Sequence, residues 1–110
     1  MLSHEFGLMD NPPAESERID EYNLEKYESV ISVDDDIISQ VCDELNKVQM
    51  YWHTIQNPQK GLAYDGITII PPRSMPRIRS IVEQYQELDE LTGLLDKATT
   101  ENKYVIHFGI

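Results

Sequence analysis

The sequence predicts an α+β protein, with α/β as the alternative: a small three-stranded sheet, two or three helices packed on it, and an extended acidic N-terminal arm. Three observations point there. A chain of 110 residues has room for one domain and one hydrophobic core. Three short runs of β-branched and apolar residues are separated by two longer stretches whose apolar residues recur at steps of three and four. Proline and glycine clusters punctuate the joins. The expected organisation is a single domain over residues 1–110, with the arm at 1–26 and a β-α-β-α(α)-β body at 27–110.

The arm is set by Asn11-Pro12-Pro13-Ala14-Glu15-Ser16-Glu17, where two prolines and the residues before them exclude helix. Phe6, Leu8, Met9, Ile19, Tyr22 and Leu24 flank this stretch, so parts of the arm are expected to dock on the core. Tyr27 to Val33 alternates Tyr27, Ser29, Ile31 and Val33 against Glu28, Val30 and Ser32, which makes it the first strand. Beyond Asp34-Asp35-Asp36, the residues Ile37, Ile38, Val41, Cys42, Leu45, Val48, Trp52 and Ile55 trace one stripe and predict a helix from Asp35 to Gln56. Carboxylates suit its start, where free N–H groups and the macrodipole favour negative charge. Asn57-Pro58-Gln59-Lys60-Gly61 stops it. Gly66 to Ile70 reads as a buried second strand closed by Pro71-Pro72. From Ser74 onward Ile78, Ile81, Val82, Tyr85, Leu88, Leu91, Leu94, Leu95 and Ala98 keep a helical stripe. A break is predicted between Glu87 and Asp89, because Asp89-Glu90 can head a new helix. Tyr104 to Ile110 is the third strand, and helical crossovers between successive strands predict parallel pairings.

The net charge of −11 is concentrated. Residues 1–36 hold Glu5, Asp10, Glu15, Glu17, Asp20, Glu21, Glu25, Glu28, Asp34, Asp35 and Asp36 against only Arg18 and Lys26. Such a surface repels nucleic acid and anionic membrane and favours a basic protein as partner. No stretch approaches the roughly 20 apolar residues that span a bilayer, and Met1-Leu2-Ser3-His4-Glu5 lacks the basic start of a secretory signal, so a cytoplasmic location is expected.

The chemistry-bearing residues point away from catalysis. Cys42 is a lone cysteine between Val41 and Leu45 on an apolar stripe, with no basic neighbour to lower its pKa, and reads as an inert thiol. A Cys42/His53 dyad is set aside because eleven residues of one helix would hold the pair about 16 Å apart. His4, His53 and His107 lie far apart in sequence with no metal-ligand spacing, and His107 reads as a satisfied sheet residue. Asp34-Asp35-Asp36 is followed at once by Ile37-Ile38, unlike a calcium loop. No phosphate loop or nucleophile motif is present, so no catalytic residue, cofactor or metal ligand is assigned. Arg73 and Arg77 share a face at a helix start, where cations are unfavourable, and are expected to meet carboxylates of the arm. Tyr51-Trp52-His53, with Tyr64 and Tyr85 elsewhere, is an aromatic set of the kind enriched at protein interfaces. The partner-binding candidates are therefore Asp20, Glu21, Tyr51, His53 and Tyr64.

Gly61-Leu62-Ala63-Tyr64-Asp65-Gly66-Ile67-Thr68-Ile69-Ile70-Pro71-Pro72-Arg73-Ser74 and the closing Ile106-His107-Phe108-Gly109-Ile110 resemble a family of short, acidic, largely uncharacterised bacterial proteins. That family is similar to the immunity proteins that accompany secreted bacterial toxins. The resemblance implies a small non-enzymatic protein that binds a basic toxin domain tightly; it carries no residue roles. The alternatives are a small enzyme of unassigned chemistry and a self-associating structural or adaptor subunit, with a homo-oligomer left open.

Overall fold

In the computed structural model, which describes residues 2–110, the chain runs β1 (Ser3–Leu8), β2 (Glu28–Asp34), α1 (Asp35–Leu45), β3 (Gln49–Trp52), β4 (Pro58–Lys60), β5 (Ile67–Ile70), α2 (Met75–Val82), α3 (Asp89–Glu101) and β6 (Val105–Phe108). The class is α+β. The six strands form one sheet in the order β2-β1-β6-β5-β3-β4, and every pairing is antiparallel. The expected three-stranded sheet with parallel pairings is thus corrected on both counts.

Three strands account for the difference. β1 lies inside the segment read as an arm: His4, Phe6 and Leu8 alternate with Ser3, Glu5 and Gly7, and the strand sits between β2 and β6. β3 comes from the segment read as the second half of a long helix, and β4 from the Asn57-Pro58-Gln59-Lys60-Gly61 stretch read as the turn that stops it. That helix stops at Leu45, capped by Asn46. Val48 and Trp52 fit a helical stripe, yet Val48, Met50 and Trp52 also alternate with Lys47, Gln49 and Tyr51. The strand period wins because it buries Met50 while pairing Tyr51 with Ile69. Gly61 fixes the return from β4: its φ is +89°, and a β-carbon there would lie 2.1 Å from Asn46 Oδ1, so only glycine fits. The predicted break between Glu87 and Asp89 is present, as a single 3₁₀ turn at Gln86–Leu88 before α3.

The alternation along each strand builds two cores. One face of the sheet carries Phe6, Leu8, Val33, Met50, Ile70 and Val105 and is covered by Ile38, Val41 and Leu45 of α1, Met75, Ile78 and Val82 of α2, and Leu91, Leu94, Leu95 and Ala98 of α3. The other face carries Ile67, Ile69, Ile106 and Phe108, and here the covering layer is the segment from Met9 to Tyr27. No helix among the described residues is long and apolar enough to cross a membrane.

Candidate docking surface and a buried histidine relay

The segment 9–27 has almost no regular structure, yet it lies flat because its apolar residues are spaced to reach the sheet. Met9 and Pro13 are buried, and Ile19, Leu24 and Tyr27 are half-buried. Asp10, Glu15, Glu17, Asp20, Glu21 and Glu25 are all exposed. Burying apolar contacts beneath and leaving carboxylates outside gives a fixed acidic sheath, relieved within the segment only by Arg18 and Lys26. Met9 N–H donates to the Tyr104 carbonyl at 3.0 Å and pins one end, and Lys103, paired with Glu101 at 3.0 Å, stands 3.6 Å from Asp10 and 3.9 Å from Glu28.

His53 pins the middle. Its backbone is left-handed, with φ at +65°, which turns the ring back toward the arm. The ring Nδ1–H is shared between the Ile19 carbonyl at 2.8 Å and Asp20 Oδ1 at 3.0 Å. The His53 carbonyl accepts from Ile19 N–H at 2.8 Å. Asp20 also accepts from Arg18 at 2.9 Å. Tyr22 donates its hydroxyl to the Gly66 carbonyl at 3.1 Å and sets its ring 5.2 Å from that of Phe108, while remaining 48% exposed. Burial and the nearby Asp65 carboxylate push the Tyr22 hydroxyl above its ordinary range, so it stays a donor.

Of the five residues selected from the sequence, Asp20, Glu21 and His53 come together at this sheath. Tyr51 lies on the same side of the sheet but is half-buried in the second core, with Arg73 donating to its hydroxyl and standing 5.5 Å over its ring. Arg73 therefore finds an aromatic ring instead of the carboxylate expected for it. Neither Arg73 nor Arg77 has an acidic ion pair among the described residues, which corrects that expectation; Arg79 takes Asp96 and Glu83. Tyr64 lies at α1, next to Ser39, whose hydroxyl is 3.3 Å from its own. Tyr22 was missed as a surface residue; its position among acids in an arm was the only available signal.

Asp34 to Asp36 divide three roles. Asp34 caps α1, accepting from Asp36 N–H at 3.0 Å, and Asp36 is exposed. Asp35 opens a chain of hydrogen bonds that runs through the core: it contacts His4 Nε2 at 2.8 Å, His4 Nδ1 contacts His107 Nε2 at 2.8 Å, and His107 Nδ1 contacts Thr68 Oγ1 at 3.0 Å. Ala63 N–H closes it on Thr68 Oγ1 at 2.8 Å. The donors and Tyr64's hydroxyl together fix the directions. Asp35 is held below the usual carboxylate range by the hydroxyl of Tyr64 and the ring of His4, so it accepts only. His4 Nε2 must then donate, its Nδ1 accept, His107 Nε2 donate, its Nδ1 accept and Thr68 donate, when both rings are neutral. Tyr64 is raised by the same bond to Asp35.

His4, His107 and Thr68 are 0% exposed and every buried side-chain polar atom among the described residues has a partner. The relay's hydrogen bonds polarise one another. It presents no free nucleophile, since its inner end is a backbone amide. The spacing in sequence hid it: His4 and His107 are 103 residues apart and meet because β1 pairs with β6. Cys42 is half-buried, and burial together with Asp35 and Asp43 pushes its thiol up. Its supposed separation from His53 along one helix no longer applies, because the helix ends between them. Among the described residues no group of three or more His, Cys, Asp or Glu could hold a metal ion.

No family model, curated protein or solved structure matches this chain.

Proposed function

We propose that this chain is a non-enzymatic protein-binding module that docks its acidic sheath on a basic protein, acting in the cytoplasm of a bacterium in the manner of an immunity protein that masks a cationic toxin domain. The observation that carries the reading is the sheath itself: exposed carboxylates at Asp10, Glu15, Glu17, Asp20, Glu21 and Glu25 on a segment fixed from beneath by Ile19, Leu24, Tyr27 and His53. A fixed field steers a cationic partner and costs little ordering when the complex forms. Tyr22, half exposed among these charges, is the residue suited to anchor the contact.

The experiment is capture from the native organism with wild-type protein and with a variant carrying Glu15→Gln, Glu17→Gln, Glu21→Gln and Glu25→Gln. A basic protein should associate with the wild type at least about tenfold faster than with the variant, as expected where steering supplies the on-rate. Tyr22→Ala should leave association unchanged and speed dissociation. A captured protein that is acidic, or that binds both proteins at the same rate, removes the reading.

A further inference from the structure

The two edges of the sheet are unlike. β4 is three residues long, opens on Pro58 and closes on Lys60, and proline and lysine both discourage added strands. β2 has neither proline nor a cation; a register shift with Ser29 left-handed at φ +56° bends its start, and beyond it Val30-Ile31-Ser32-Val33-Asp34 form a regular edge. Edge strands are usually guarded along their length, and the bulge guards only the start of β2, so the regular stretch from Val30 to Asp34 is open to an occupant.

The hydrogen-bond register says which groups are open. Asp35 N–H donates to the Leu2 carbonyl at 3.0 Å, and the β1–β2 register is His4 with Val33 and Phe6 with Ile31. These are the pairs that exchange both bonds in an antiparallel ladder, so the intervening Ser32 turns its N–H and C=O away from β1, as Asp34 turns its N–H. No protein group among the described residues bonds to those three atoms. Val30, beside them, is 36% exposed. The helices α1 and α3 lie against β2 from the core side.

Charge selects the occupant. Glu5, whose carboxylate accepts from Ser32 Oγ at 3.0 Å, stands with Asp34 and Asp36 around the open stretch. The two cations near the strand, Lys97 at Ser29 and Lys103 near Glu28, are at its first residues. A second copy is disfavoured by the net charge of −11 that each copy carries. We propose that the outer edge of β2 receives a β-strand of the partner, one with uncharged β-branched residues at its centre and Lys or Arg at its ends, extending the sheet by a seventh strand. The cationic ends rest on the docking function proposed above; the strand addition does not.

The probes are a synthetic hexapeptide, Lys-Thr-Val-Thr-Val-Lys, and its analogue with Gln at both ends, titrated into the full chain and followed by amide exchange. The Lys peptide should slow exchange at Ser32 and Asp34, about tenfold or more if two backbone bonds form. Ser32→Pro removes an outward N–H that no ladder bond uses and should weaken peptide binding by about tenfold. Val30→Lys, which leaves the backbone intact, should weaken the Lys peptide and spare the Gln one. Lys-peptide binding that shifts the sheath residues while Ser32 exchanges freely, or binding unaffected by both variants, overturns the strand addition and leaves the acidic docking reading standing. Equal protection of Ser32 by both peptides keeps the strand addition and counts against the cationic partner. No protection by either peptide overturns the strand addition.

Discussion

A buried imidazole beside another buried imidazole makes protonation costly, and His107 shows the consequence. Loss of solvent, and then the neighbouring His4, hold it well below the usual histidine range. At pH values under about 6.5 the unfolded chain takes up a proton at this residue that the folded chain refuses, so stability falls as pH falls from there. Asp35 has the same sign: its folded pKa is depressed, so its contribution is complete above about 3.9 and is lost as pH falls through the folded value. Urea melts between pH 8 and 3 should therefore lose stability in two stages, the first beginning near 6.5. A first stage that persists in His107→Phe would assign it elsewhere. In that variant Thr68 and His4, both fully buried, each lose a partner, so destabilisation of roughly 2–4 kcal/mol is expected. Adding His4→Phe should cost less than the sum of the two single changes, because a relay lost as a unit leaves fewer orphaned groups than a relay cut in the middle.

At the scale of elements, the sheath on the second face is the part that regular secondary structure does not hold. Ile19 and Leu24 are half-buried and contribute roughly 1 kcal/mol each by burial, so the His53 clamp matters in proportion. His53→Gly deletes the ring and relieves the strain of a left-handed backbone; His53→Ala deletes the ring but keeps a β-carbon at φ +65°. Both should speed exchange at Ile19 N–H, and Ala should also lower the melting temperature more than Gly. Unchanged exchange at Ile19 in both variants would mean that the apolar contacts alone hold the segment. The same segment shows how far local pattern reaches. Docking of the arm, the break before Asp89 and the acidic start of α1 were legible because each depends on neighbours in sequence. β1 was missed: His4, Phe6 and Leu8 keep a period of two, but six residues before a proline-rich stretch gave no sign of a partner strand. β3 was ambiguous, since Val48 and Trp52 suit both periods, and only pairing with Ile69 and Thr68 decides it. Neither the relay nor the His53 clamp could be read from spacing, since β1–β6 pairing and a left-handed residue create them.

For the whole molecule, a net charge of −11 on a body of 35 × 29 × 27 Å opposes folding, and would favour association with the basic partner proposed above. Folding gathers the carboxylates of residues 1–36 and the rest of the chain into one volume, and their mutual repulsion opposes it. Added salt shortens the Debye length from about 10 Å at 0.1 M to about 3 Å at 1 M, which is short against every dimension of the body. Screening should therefore raise the melting temperature. The same screening removes the long-range attraction between the sheath and a cationic partner, so the association rate should fall over the same salt series while dissociation, set by contacts such as Tyr22, changes little. The variant with Glu15→Gln, Glu17→Gln, Glu21→Gln and Glu25→Gln has a net charge of −7 and should anticipate both effects without salt. It should melt at or above the wild-type temperature, associate more slowly, and respond less to salt in both measurements. Melting temperature and on-rate that move together with salt would show that the sheath charges serve stability and not encounter, because only a partner of opposite sign makes screening help one process and hinder the other.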